Sequence, residues 1–367
     1  MIIPLSKPDI SELEKNYVKE VLESGQLSMG TKTQGFENMF KTKFNARYAV
    51  AMNSGTSALH VAVKTLGLNA GDEVITSPYS FIASGNCLVY EGVVPVFVDI
   101  DSSTLNMDVS KIEQAITSKT KAILAVHIFG QPCKMDDIMR LANEYNLLVI
   151  EDACEAIGAE WEGTPVGLLG DAGVFAFYPN KQITTGEGGI LVTNGEDIFK
   201  MASALRNQGR SVNSQWLEHD YIGYNYRMSE LQAAVGLAQM ERLTEILEKR
   251  EKAALRYIEL INKYFLPVTL PTLLNKCKIS WFVFIVILPK DTNRDLVIAV
   301  LEKSGVQAKP YFPSIHLQNS FRFLYGFQAG DFPVSEEMSN RTLAIPFYST
   351  ITFDEQLYVI KALKKAL

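Results

Sequence analysis

Three polar stretches sit where a chain rich in strands would present chemistry. The first, Asn53-Ser54-Gly55-Thr56-Ser57, opens a helical pattern. Free N–H groups and the positive end of a helix can hold a phosphate there, with Thr56 and Ser57 as donors. Taken alone, the stretch reads first as a helix capped by Ser54. The second, Glu151-Asp152, follows the apolar run 147–150 and puts a carboxylate at the end of a buried strand. The third is Lys181, in Tyr178-Pro179-Asn180-Lys181-Gln182 and just ahead of Gly186-Glu187-Gly188-Gly189. Most lysines are surface charges, but one enclosed by apolar strands and glycines is suited to forming imines. An imine-forming lysine, an acid for a pyridine nitrogen and a phosphate anchor are what pyridoxal phosphate asks of a protein. The sequence offers one candidate for each.

These residues need strands to carry them. Apolar runs at 74–77, 93–98, 122–127, 147–150, 174–177 and 190–193 alternate with helical spacing at 57–66, 136–145 and 198–205. That alternation predicts an α/β fold with a mostly parallel sheet covered by helices, whose ligands bind beyond the carboxyl ends of the strands. A helical stretch over 229–264 contains no proline, and Pro267 and Pro271 follow it. We therefore expect a large domain over 1–245 and a smaller α+β domain over 246–367, with a strand at 280–288 and helices at 293–304 and 354–367. The aromatic-rich segment 310–333 reads as a long loop, and loops of that length usually serve function.

Composition narrows the class. Of 367 residues 47% are hydrophobic and 21% charged, which suits a large core. A net charge of -6 without a basic run argues against nucleic acid as a partner. The N-terminus lacks the basic and apolar regions of a signal peptide, and the strongest apolar run, 281–288, is too short to span a bilayer, so a cytoplasmic protein with no membrane partner is expected. Cys87, Cys133, Cys154 and Cys277 lack zinc-ligand spacing, no metal is expected, and the four read as reduced core thiols.

With those residues in hand, the sequence resembles the DegT/DnrJ/StrS family of nucleotide-sugar aminotransferases, fold-type I enzymes that use pyridoxal 5'-phosphate. The resemblance rests on Asn53-Ser54-Gly55-Thr56-Ser57-Ala58-Leu59-His60, Gly71-Asp72-Glu73-Val74-Ile75, Val126-His127-Ile128-Phe129-Gly130-Gln131 and Glu151-Asp152-Ala153. It extends to Lys181 with Thr184-Thr185-Gly186-Glu187-Gly188-Gly189, and to Gly223-Tyr224-Asn225-Tyr226-Arg227-Met228. It implies that Lys181 bonds the cofactor and then shuttles a proton, that Asp152 pairs with the pyridine nitrogen, and that Gly55, Thr56 and Ser57 hold the phosphate. Phe81 stands where the family sets an aromatic side chain against the cofactor ring. Glu155 stands where relatives carry Gln, His or Glu near the cofactor's phenolic oxygen and the substrate. Asn225 corresponds to a residue that reaches the partner's cofactor phosphate, which implies a homodimer with composite sites. Tyr311 and His316 fall in a segment that approaches the nucleotide sugar. Relatives often carry Ser where this chain has Ala176, which removes one phosphate donor.

The resemblance further implies glutamate as amino donor and a nucleotide-linked keto sugar as acceptor. The segment ending in Glu155 resembles enzymes that aminate a 4-keto-6-deoxy sugar. A 3-keto sugar, a cyclitol ketone and a non-catalytic cofactor-binding regulator are the alternatives. Dehydratases of the same fold replace the lysine, which this chain retains at 181.

Overall fold

A computed structural model describes residues 2–211, 215 and 218–367 of the chain. Its centre is a seven-stranded sheet made of β1 (Tyr48–Met52), β2 (Glu73–Thr76), β3 (Val94–Phe97), β4 (Thr120–Val126), β5 (Leu148–Asp152), β6 (Ala172–Ala176) and β7 (Gly189–Thr193). The strand order is β1-β7-β6-β5-β4-β2-β3. Neighbours from β3 to β6 pair in parallel, whereas β7 runs antiparallel to both β6 and β1. This is the mostly parallel α/β sheet that the alternation of apolar runs and helical spacing predicts. Helices cover both faces. In β4, Ala122, Leu124 and Val126 join one apolar cluster while Ile123 and Ala125 join another. Burial on both faces is why this strand reads as a continuous apolar run and does not alternate.

Strand β1 lies outside the six apolar runs. Its sequence, Tyr-Ala-Val-Ala-Met, carries one β-branched residue and takes its place through pairing with β7. The helical stretch 229–264 is two helices, Glu230–Glu241 and Leu243–Lys263. They part at Arg242, whose guanidinium is held by Asp9 at 2.7 Å and Glu14 at 2.9 Å. The segment 310–333 is not one loop, because it contains the helix Asn319–Tyr325, anchored by the buried Phe321.

A second, antiparallel sheet joins β8 (Phe284–Ile287), β9 (Lys309–Pro310) and β10 (Thr342–Ile345) in the order β8-β10-β9. The expected division after residue 245 falls in the first turn of Leu243–Lys263. That helix packs Leu243 and Ile246 into the core of the large sheet and Ala253, Tyr257 and Leu260 into a second core around β8 and β10. Ile3 also belongs to the second core, with its N–H donating to Gly305 and its carbonyl accepting from Gln307. The first residues of the chain thus pack with its C-terminal third, although sequence order put them with the large domain.

The end of β5 is fixed by a buried carboxylate. Glu151 accepts from the N–H groups of Gly167, Leu169 and Gly170, each at 2.7 Å, and lies 3.0 Å from His127 Nε2. Glu151→Ala would leave those donors buried and unpaired, at about 1–3 kcal/mol for each one that water cannot reach. A loss of at least roughly 3 kcal/mol in denaturant unfolding is expected.

Candidate active site

The carboxyl ends of β4, β5 and β6 open into a cavity of about 950 Å³, walled on the far side by Pro310, Tyr311, Phe312 and Pro313. Side chains alternate along β5, so Glu151 turns into the core while Asp152 faces the cavity. Asp152 Oδ2 accepts from Ser84 Oγ at 2.7 Å, and Oδ1 accepts from the Cys154 N–H at 3.2 Å. Ser84 is itself 2.7 Å from Ser80 Oγ, four residues earlier and ahead of the helix Ala83–Val89. Both carboxylate oxygens are therefore oriented before any ligand arrives.

Lys181 follows β6 through the turn at 178–181, closed by the Lys181 N–H donating to the Tyr178 carbonyl at 2.9 Å. Its Nζ lies 3.6 Å from Glu155 Oε1 and 4.1 Å from the centroid of the Phe282 ring. Glu155 Oε2 accepts from the Phe129 N–H at 2.9 Å. That donor depends on a tight turn, in which Phe129 has φ 56° and Gly130 φ 88°. A Cβ on Gly130 would meet the Ser280 carbonyl oxygen at 1.6 Å, so only glycine fits. Burial pushes the Glu155 carboxyl above its ordinary range, with the Lys181 charge opposing the shift. Burial also pushes the Tyr311 hydroxyl up to about 12 and raises the Cys154 thiol.

Helix Gly55–Thr65 points its N-terminus at the same cavity. Ser54 Oγ accepts from the Ser57 N–H at 3.0 Å, and the Ala58 N–H bonds to the Ser54 carbonyl. The N–H groups of Gly55 and Thr56 are left over at the cavity wall. Gly55 packs so closely on Ala176 that an added Cβ would lie 2.5 Å from the alanine methyl. A helix start with spare donors, an oriented carboxylate and a lysine amine around one cavity fit a phosphorylated pyridine aldehyde.

Of the residues singled out in the sequence, Gly55, Thr56, Phe81, Asp152, Glu155, Lys181 and Tyr311 line the cavity. Phe81 is 57% exposed there. Three do not line it. Ser57 has spent its N–H on Ser54, and its hydroxyl donates to Asn53 Oδ1 at 2.7 Å. Asn225 is exposed on an extended segment bridged to Asn207, outside this chain's own cavity. His316 is fully buried, 3.1 Å from Glu336 and edge-on to Phe332, so it does not touch a ligand in this cavity. The cysteines also divide. Cys87 and Cys133 are core residues, whereas Cys154 and Cys277 are partly exposed and Cys154 lines the cavity. Sequence reasoning missed Ser84 and Phe282. Ser80 and Ser84 at helical spacing beside Phe81 were a readable signal, but nothing local marked Phe282. Among the described residues, no cluster of His, Cys, Asp or Glu could hold a metal ion, and no helix is long and apolar enough to cross a membrane.

The profile of the DegT/DnrJ/EryC1/StrS aminotransferase family matches residues 8–364. The chain belongs to this family. It is 38% identical to GDP-perosamine synthase of Caulobacter vibrioides, over 100% of this chain and 98% of the relative. Among solved structures, PseC of Helicobacter pylori, an aminotransferase of pseudoaminic acid biosynthesis, superposes with a TM-score of 0.94 at 28% identity, covering 100% of this chain and 99% of PseC. The PLP-form of Spr1654 from Streptococcus pneumoniae superposes at 0.93 with 26% identity, covering 100% and 98%. Like the DegT/DnrJ/EryC1/StrS aminotransferases it resembles, the chain is a pyridoxal-phosphate-dependent enzyme of the nucleotide-sugar and amino-sugar class.

Because burial raises the Glu155 carboxyl, the folded protein binds a proton there that the unfolded chain has already lost. Stability should therefore fall as pH rises from the ordinary carboxylate range through the folded value. Glu155→Gln cannot ionise and should flatten that decline in urea unfolding of the cofactor-free protein. An unchanged slope would mean that the carboxyl is already ionised.

Proposed function

We propose that the enzyme moves an amino group from glutamate to a nucleotide-linked 4-keto-6-deoxy sugar, acting in the cytoplasm as a homodimer with composite sites. The observation that carries this reading is the convergence of Lys181, Asp152 and the Gly55 helix start on a single cavity of about 950 Å³. That space exceeds what a cofactor alone fills, leaving room for a sugar at the Tyr311 side. The 38% identity to a GDP-perosamine synthase supports a sugar acceptor.

When bound, pyridoxal phosphate supplies an electron sink that lets a substrate carbon lose its proton. Asp152, aligned by Ser84 and Cys154, pairs with the pyridine nitrogen and keeps it protonated. Lys181 Nζ takes the proton from the substrate carbon and returns it, acting as base and then acid in both halves of the reaction. Phe81, on the cavity wall, would pack against the cofactor ring. The N–H groups of Gly55 and Thr56 hold the phosphate, and Ser57 supports that helix start through its bonds to Asn53 and Ser54. With alanine at 176, Asn225 of the exposed segment supplies a further phosphate contact to the neighbouring subunit. Glu155 contacts cofactor and substrate next to Lys181. Tyr311, whose hydroxyl accepts from Asn180 Nδ2 at 3.3 Å, contacts the sugar.

Protein mixed with pyridoxal phosphate should develop a visible absorbance band that glutamate converts to the pyridoxamine form, and a nucleotide-linked keto sugar should then restore it. A cyclitol ketone restoring the band when no keto sugar does would shift the acceptor to that class. Lys181→Ala should abolish the visible band and turnover together, and retained turnover would refute its role. Asn225→Ala should raise the Kd for pyridoxal phosphate by about tenfold, the size of one hydrogen bond to a charged group. An unchanged Kd would place Asn225 outside the phosphate site.

A further inference from the structure

Lys181 rests in a seat built from two different parts of the chain. One side is the Phe282 ring, 4.1 Å from Nζ, and the other is Glu155 Oε1 at 3.6 Å. The lysine side chain is only 13% exposed there, so both attractions act with little water between the groups. Both sides are held rigidly. Arg250, buried in helix Leu243–Lys263, donates from Nη2 to the Phe282 carbonyl at 2.6 Å and from Nε to the Trp281 carbonyl at 2.7 Å. The Phe129 N–H fixes the outer oxygen of Glu155. Gln182, next to the lysine, donates from Nε2 to the Glu155 carbonyl at 2.6 Å and to Ser280 Oγ at 2.9 Å, joining the two sides behind Nζ.

We propose that Phe282 and Glu155 form a dock for the free ammonium of Lys181, and that this dock favours the states of the enzyme in which the lysine is not bonded to the cofactor. The inference rests on the reading of Lys181 as the cofactor's lysine. A lysine bonded to the cofactor has given up its ammonium and with it the attraction to ring and carboxylate. A lysine released by the amino donor leaves as a neutral amine, free to take the substrate proton, and in the pyridoxamine-loaded enzyme it draws a proton from solvent and needs a place to hold that charge. Contacts made in one of two states shift the equilibrium toward that state, and only by the difference. The dock therefore stabilises the pyridoxamine-loaded enzyme relative to the pyridoxal-loaded enzyme. Phe282 acts as a positioning residue, since it works through the lysine.

The two cofactor forms separate this role from a merely structural one. Pyridoxamine phosphate cannot bond to the lysine and leaves it in the dock, whereas pyridoxal phosphate draws it out. Equilibrium titrations of the cofactor-free protein with each form give two Kd values and their ratio. In Phe282→Leu the affinity for pyridoxamine phosphate should fall relative to that for pyridoxal phosphate by about tenfold, the size of one desolvated cation–π contact. Phe282→Tyr keeps the ring face and should keep the wild-type ratio. Glu155→Gln keeps the shape but removes the charge, and should move the ratio in the same direction as the leucine variant. A parallel loss of both affinities, with the ratio unchanged in Phe282→Leu and Glu155→Gln, would overturn the dock. Wild-type protein that binds pyridoxal phosphate without any visible band would overturn the assignment of Lys181 itself, and the dock with it.

Discussion

Strand β5 ends in two carboxylates that face opposite ways, and the inward one organises the outward one. Glu151 has no access to water and is satisfied by three backbone N–H groups from residues 167–170 and by His127. A charge buried this deeply is tolerable only with such a complete set of donors. Because the donors come from the approach to β6 and from the turn after β4, one carboxylate ties three neighbouring strand ends together. Asp152 and the Phe129 turn hang from the ends of β5 and β4, while the segment leading to Lys181 leaves the other end of the short strand β6 that starts just after the tied residues.

The second sheet completes the cavity and does more than cover it. Tyr79, after β2, is fully buried, and its hydroxyl bonds to Thr342 Oγ1 at 2.8 Å and to the Tyr311 carbonyl. This locks the first residue of β10 and the far wall of the cavity to the large sheet. The segment entering β8 brings Phe282 beside Lys181, with Arg250 holding its backbone. The reacting face of the cavity thus comes from the large sheet, while the side that receives the lysine comes from the smaller one.

Much of this was legible in the sequence because the decisive features are local. A strand buried on both faces shows as an apolar run, and the residue that follows it is placed at the cavity by topology alone, which is how Asp152 and the Gly55 helix start could be read. What was not legible depends on pairing across long distances. Strand β1 carries too few β-branched residues to announce itself and exists through its register with β7. Phe282 is more than a hundred residues from Glu155 and has no motif. His316 looked available in an aromatic loop, but the fold turns it inward against Phe332 and Glu336. Ser57 stands in a phosphate-binding pattern, but its donors are used within the turn.

The close approach of Gly55 to Ala176 couples the side chains allowed at the two positions. With less than a carbon–carbon van der Waals contact between a would-be side chain at 55 and the methyl at 176, residue 176 can carry a side chain only on a background of glycine at 55. Position 55 is closed to side chains as long as 176 carries even a methyl. The coupling is reciprocal: a side chain at either position needs glycine at the other, because the next neighbours of a Cβ at 55, Cys154 Sγ at 3.4 Å and Ala176 Cα at 3.5 Å, lie at ordinary contact distance.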